Sequence, residues 1–208
     1  MPFFTYLSEN EAAESAFTGA MAAGSRIQGM LVAEAIDLSD ARQVCDVGGG
    51  SGSVLAHLLR VHPHLTGSVL DLPGLERDAE AVFAAAGVSD RARFVGGNFF
   101  DAVPERCDVY TLFAVIHDWD DERCATILGC IRRAMSADGR ILVIEGMMPE
   151  HDQEHFLKTA DMLMLVLGDG GRERTKREFD VLWRRAGLRA RKTTTLASTF
   201  AVFELVPA

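Results

Sequence analysis

The stretch QVCDVGGGSGSV, residues 43–54, packs four glycines into five positions directly behind an apolar run. A glycine costs about 1 kcal/mol relative to alanine inside a helix, so a cluster this dense marks backbone that must turn sharply or lie close to a ligand. Asp46, Gly48, Gly50 and Gly52 spell D-x-G-x-G-x-G, closing a predicted strand and opening a predicted helix. In open α/β sheets that junction, at the carboxyl edge of a strand, is where ligands bind.

Downstream of the turn, short β-rich runs alternate with helical patterns: RQVCDV, a helix over 52–61, GSVLDL, a helix over 74–86, ARFVG, CDVYTLFAVI, a helix over 120–135, and RILVIEG. The alternation predicts a parallel sheet with helices on both faces. Cys124, Ile127, Leu128, Ile131 and Met135 form one apolar stripe on the helix after Asp120, the face that should meet the sheet. A capping box at Thr175–Glu178 opens a further helix burying Phe179, Leu182, Trp183 and Ala186, and the runs LRARKTTTL and TFAVFELV read as a closing antiparallel hairpin. The prediction is a doubly wound α/β domain over 41–208, seven strands with the last antiparallel. Upstream, a capping box at Ser8–Glu11 opens an alanine-rich helical lead-in over 1–40.

At 208 residues and 48% hydrophobic content, the chain can bury the core of one such domain. Asp and Glu number 30 against 21 Lys and Arg, a net charge of −9. No basic stretch interleaved with aromatics is present, which argues against nucleic acid and for a small-molecule ligand. Cys45, Cys107, Cys124 and Cys130 sit in apolar segments without a CxxC pair and read as reduced core thiols, with no metal site expected. No apolar run is long enough to span a bilayer and the N-terminus has no signal-peptide character, so a cytoplasmic protein without a membrane partner is expected.

The glycine spacing favours S-adenosylmethionine. A dinucleotide fingerprint would want a third glycine at position 53, where Ser53 stands. Bare backbone at Gly48, Gly49 and Gly50 lets the amino-acid end of that cofactor lie against the loop, with helix N-terminal amides near its carboxylate. Asp71, at the carboxyl end of the second strand, is placed to accept two ribose hydroxyls, or to cap the helix that follows. GGNFF offers Asn98 and Phe99 as an amide partner and a flat contact for adenine. His117 should emerge at the carboxyl end of a buried strand, where a neutral imidazole can take a proton near pH 7. Glu145 at the end of the next strand and Glu173 in the loop DGGRERT can converge on it to fix its tautomer.

PFFTYL, DVGGGSG, VLDLP, GGNFF, HDWDDE, ILVIEGMMP and GGRERTKREF, in this order, closely resemble the cofactor domain of the plant-type small-molecule O-methyltransferases, which include caffeate, hydroxyindole and bacterial polyketide-tailoring enzymes. The resemblance covers nearly the whole chain. It implies a Rossmann-like S-adenosylmethionine-dependent methyltransferase fold and methyl transfer to a hydroxyl of an aromatic secondary metabolite. His117 would be the base and Glu145 and Glu173 its orienting acids. Leu72 would join Asp71 at the cofactor, and Met21, Asp118, Trp119 and Met164 would line the acceptor pocket. The chain departs from the family pattern at Asn98, where aspartate is usual, at Phe113, where lysine is usual, and at Gly168, where a pocket asparagine is usual. Family members also carry an N-terminal helical, winged-helix-like domain that forms the homodimer, and this chain reads as starting after it.

Three other functions are set against this one. HDQEH, residues 151–155, matches the H-x-x-E-H pattern of inverted zinc peptidases if its histidines share a helical face. Relatives of the same fold hydroxylate polyketides or transfer nothing. A nicotinamide oxidoreductase would use the same glycine turn differently.

Overall fold

The structure, a computed structural model, describes residues 6, 9, 10, 12, 13, 16, 19, 32, 33, 35–167, 170–196 and 199–208. Strands β1 (Gln43–Val47), β2 (Thr66–Asp71), β3 (Ala92–Gly96), β4 (Val109–Phe113) and β5 (Arg140–Met148) lie parallel in the order β3-β2-β1-β4-β5. A two-residue strand, β6 (Arg174–Thr175), pairs with the outer end of β5. The hairpin of β7 (Leu188–Thr195) and β8 (Phe200–Pro207) completes the sheet, β8 running antiparallel to β5 and to β7. The seven long strands with an antiparallel last one are those the sequence predicts, and β6 is an addition to them.

Five helices, α1 (Ser53–Val61), α2 (Glu76–Ala86), α3 (Asp121–Ala134), α4 (Phe156–Leu167) and α5 (Lys176–Arg185), connect the strands. The two-residue period of β1 sends Val44 into one core and Cys45 and Val47 into the other. On the first face, α1 and α2 bury Leu55, Leu58, Leu59 and Phe83. On the second, α3 and α5 bury Cys124, Ile127, Leu128, Phe179 and Trp183. Each such side chain removed from water contributes about 1.5–3 kcal/mol, offset by the entropy of ordering it. All four cysteines are buried and unbridged.

Local signals fix the helix starts. The Asp120 carboxylate accepts from the amides of Glu122 and Arg123 at the head of α3, and Thr175 with Glu178 forms the predicted capping box of α5. One predicted element is shorter than its sequence suggests. CDVYTLFAVI is apolar to its end, yet β4 stops at Phe113, Ala114 takes a positive φ of 51°, and Ile116–Asp118 forms a 3-10 turn. The Glu145 side chain captures the amides of residues 115–117, so they leave the strand ladder. The capping box at Ser8–Glu11 falls outside the described residues. Val32, Ala33 and Ala35 in the lead-in are helical, and the first two are buried in the α1 and α2 core.

Candidate active site

β1 lies between β2 and β4, so the chain winds outward from it in both directions and leaves a crevice beyond its carboxyl end. The glycine turn lines one side. Gly48, Gly50 and Gly52 have φ of 71°, 57° and 76°, a region that side chains with a Cβ enter only at a cost. At Gly49 the constraint is space, since a Cβ would stand 2.4 Å from Asp46 Oδ2. Asp46 is fully buried beneath the turn, its Oδ1 accepting from Thr111 Oγ1 at 2.6 Å and its Oδ2 without a partner among the described residues. Burial raises its pKa from 3.8 to about 6, against the Thr111 hydrogen bond and with help from the charge of Asp71.

Asp71 ends β2 with Oδ2 accepting from the Gly50 amide and Oδ1 from the Leu72 amide, both at 2.7 Å. Each oxygen keeps a lone pair for another donor. Nothing stands where a Gly50 side chain would point, Leu72 is 64% exposed, and Phe99 packs against Gly48, its ring 3.5 Å from where a Cβ there would lie. Asn98 is exposed, with Oδ1 accepting from the Phe100 amide. Bare backbone, a carboxylate with accepting capacity and uncovered apolar side chains fit the amino-acid, ribose and base portions of a nucleoside cofactor.

The histidine turn lines the other side. His117 Nδ1 stands 3.3 Å from Glu173 Oε1 and 3.9 Å from Glu145 Oε2, and Nε2 stands 3.5 Å from Asp118 Oδ1. Glu145 is fully buried in β5, and its Oε1 accepts from the amides of Val115, Ile116 and His117 at 3.0, 2.6 and 3.3 Å. Burial of the ring favours neutral imidazole. The charge of Glu145, the Glu173 hydrogen bond and the charges of Asp118 and Glu173 outweigh it, raising His117 to about 10. Burial drives Glu145 up as well; His117 pulls it back and Glu173 adds to the rise, leaving it at about 7. Burial also raises Asp118, against the pull of His117.

Of the predicted acceptor-side residues, Trp119 packs edge-on to Phe99 and Phe100. Met164 is half-buried on α4, while Met21 and Gly168 fall outside the described residues. Phe113, standing where a lysine is usual, is buried and stacked on Phe200. Sequence reading missed the parts that bring Glu173 to the histidine. Asp161 of α4 accepts from the Glu173 amide at 2.9 Å. Gly171 lets the strap over 170–174 lie on the turn, because a Cβ there would be 2.6 Å from the His117 carbonyl oxygen. The GG pair of GGRERT was the available signal for that close approach. HDQEH lies in a non-helical segment ahead of α4, where His151 and His155 share no helical turn, and His155 Nδ1 accepts from the Leu157 amide. Among the described residues no three His, Cys, Asp or Glu side chains gather to hold a metal ion.

Phenazine O-methyltransferase PhzM of Lysobacter antibioticus is 38% identical over 205 residues, which cover 99% of this chain and 60% of that protein. Aclacinomycin 10-hydroxylase RdmB of Streptomyces purpurascens is 37% identical over 210 residues, 98% of this chain and 56% of that one. The O-methyltransferase NcsB1 of neocarzinostatin biosynthesis, solved with S-adenosylmethionine and 2-hydroxy-5-methyl naphthoic acid, matches with a TM-score of 0.88 at 33% identity over all of this chain and 62% of its own. The chain therefore spans less than two thirds of the length of these relatives. The described fold is that of the S-adenosylmethionine methyltransferases. A family match running over residues 1–189 joins the glycine turn, the histidine turn and the strap in one pattern, and the chain belongs to the O-methyltransferase domain family.

Proposed function

We propose that the chain binds S-adenosylmethionine at the glycine turn and directs methyl transfer to a hydroxyl of an aromatic small molecule, with His117 as the general base. The convergence of Glu145 and Glu173 on His117 Nδ1 carries this reading. Gly48, Gly49 and Gly50 would receive the amino-acid end of the cofactor, Asp71 the ribose, and Leu72, Asn98 and Phe99 the base. When bound, the cofactor supplies a methyl group already activated on a sulfonium. The protein's own task is then alignment, which can lower a barrier by about 7–11 kcal/mol.

With Nδ1–H donated to Glu173, the imidazole presents Nε2 toward Asp118 and the acceptor side. With its pKa raised to about 10 the ring is mostly charged at pH 7, so the base is the neutral fraction, which grows with pH. A hydroxyl held on the acceptor side loses its proton to Nε2 of that form, a contribution of roughly a hundredfold to ten-thousandfold. The positive ring that forms is stabilised by Glu145 and Glu173, neither of which needs to accept the proton. Trp119 would give the acceptor a flat apolar contact and Met164 a flexible one. Among the described residues no helix is long and apolar enough to cross a membrane. Four buried, unbridged thiols suit a reducing cytoplasm.

RdmB, named as a hydroxylase, favours one second reading, in which the same site supports hydroxylation. Calorimetry with adenosylhomocysteine, paired with a labelled-methyl screen over catechols and hydroxyanthraquinones, separates the two. We expect cofactor-product binding with at most weak methyl transfer by this chain, and any methylated product to disappear in His117→Ala while binding stays intact. An oxygenated product would replace our reading with the second, and absence of adenosylhomocysteine binding would overturn both.

A further inference from the structure

The turn that carries His117 is gripped from two sides. Its amides at residues 115–117 point to Glu145, as described. Two of its carbonyl oxygens, those of Ile116 and Trp119, meet a single side chain. Arg174, 1% exposed in β6, donates Nη1–H to the Ile116 oxygen at 3.0 Å and Nη2–H to the Trp119 oxygen at 2.8 Å. The same guanidinium is held by Asp121, which accepts from Nε at 3.0 Å and from Nη2 at 2.7 Å at the start of α3. A third carbonyl, that of His117, accepts from the Arg172 amide at 2.8 Å.

We propose that Arg174 is a positioning residue for the base: its guanidinium fixes the carbonyl side of the 116–119 turn against α3, as Glu145 fixes the amide side against β5, so that His117 and Trp119 face the crevice together. Guanidinium chemistry is suited to this work. Its planar fork has five donors in fixed directions, enough to reach two carbonyls and a carboxylate at once, whereas a lysine ammonium has three donors on a flexible stem and no fixed plane. Asp121 carries the charge balance, held below its ordinary pKa by Arg174 and Arg172 against the effect of burial. Cys124 Sγ contacts the same Ile116 and Trp119 oxygens at 3.2 and 3.4 Å. A thiol is a weak donor, which makes it the natural control for Arg174.

The link to catalysis rests on the proposed function, but the positioning itself can be read without turnover. The chain has two tryptophans. Trp119 sits in the turn, and Trp183 is buried on α5 against Phe179. Fluorine NMR of the 208-residue chain labelled with 5-fluorotryptophan therefore reports turn and core separately. In Arg174→Lys, and more strongly in Arg174→Gln, the Trp119 resonance should shift or broaden while that of Trp183 stays in place. Cys124→Ala should move neither. A Trp119 resonance that stays fixed in both Arg174 variants overturns the proposal. So does joint movement of both resonances, which would make Arg174 a strut of the fold. In methyl-transfer assays Arg174→Lys should lower kcat by roughly a hundredfold, the effect of a misplacement on the ångström scale, with adenosylhomocysteine affinity unchanged; affinity falling in step with kcat would also overturn it. If the unsubstituted chain binds no adenosylhomocysteine, the proposed function fails, and the fluorine comparison still decides the role of Arg174.

Discussion

The glycine turn and the histidine turn close the same sheet edge, and they are built in opposite ways. The first presents backbone from consecutive residues, 48–52, and its fit to a ligand comes from what those residues lack. The second presents one imidazole, and four separate segments set it: the 115–119 turn, Glu145 of β5, Asp161 of α4 and the strap over 170–174. Backbone shape can thus be encoded locally, whereas a charged side chain poised in a buried site requires partners that only the completed topology delivers.

Paired glycine substitutions test the separation most severely. Gly49→Ala puts a methyl 2.4 Å from Asp46 Oδ2, and Gly171→Ala puts one 2.6 Å from the His117 carbonyl oxygen. Overpacking of this kind costs about 1–3 kcal/mol, up to roughly a hundredfold in an equilibrium or rate. Gly49→Ala should lose that much adenosylhomocysteine affinity. Gly171→Ala should keep its affinity and lose a comparable factor in turnover. Equal loss of binding in both variants would mean that the two turns are one unit.

A smaller effect is expected from pH. His117 is raised from 6.5 to about 10, so its attraction to the carboxylates stabilises the fold fully below pH 6.5 and is lost as pH rises through 10. With His117 as the proposed base, turnover would need the neutral ring and should climb as pH rises toward 10. Glu145, raised from 4.5 to about 7, acts differently: the folded chain retains a proton the unfolded chain has released, and stability declines as pH rises from 4.5 to 7. Glu145→Gln removes the second dependence and weakens the first, since Glu173 and Asp118 still face His117. The midpoint of the turnover profile should fall by at least one unit, about 1.4 kcal/mol. An unmoved midpoint would assign the charge control of His117 to Glu173 and Asp118 instead.

What could be read from the sequence follows this division. DVGGGSG gave the turn and the strand before it, and the five predicted parallel strands are all present, because periodicity and glycine density are local properties. The convergence of Glu145 and Glu173 on His117 was legible because each stands at or just past a strand or in a polar loop. Arg174 and Asp161 were not, since a buried arginine and a helix aspartate look like any surface charge until the strap folds over the turn. The apolar run CDVYTLFAVI hid the end of β4 for the same reason: the side chain that ends it, Glu145, lies in β5.

The smallest net change at neutral pH concerns Asp46, where the glycine turn has a charge problem the histidine turn has solved. Glu145 has a cationic partner, whereas Asp46 has one hydrogen bond, from Thr111, and an oxygen with none. Its pKa, raised from 3.8 to about 6, means that the folded chain binds the proton more tightly than the unfolded one. Stability should therefore fall as pH rises through that window, by about 3 kcal/mol from this group, with the loss complete by pH 7. Asp46→Asn cannot ionise and should show no such contribution. It keeps the Thr111 contact through its amide oxygen but buries an NH2 beside Gly49 without an acceptor, at about 1–3 kcal/mol. The two terms largely offset each other, so at pH 7 the variant should match the parent within about 2 kcal/mol, while at pH 4 it should be the less stable. Urea denaturation of both proteins at the two pH values makes the comparison. If the parent instead gains on the variant as pH rises, the folded chain must stabilise the ionised carboxylate, and the glycine turn would pair its charge as the histidine turn does.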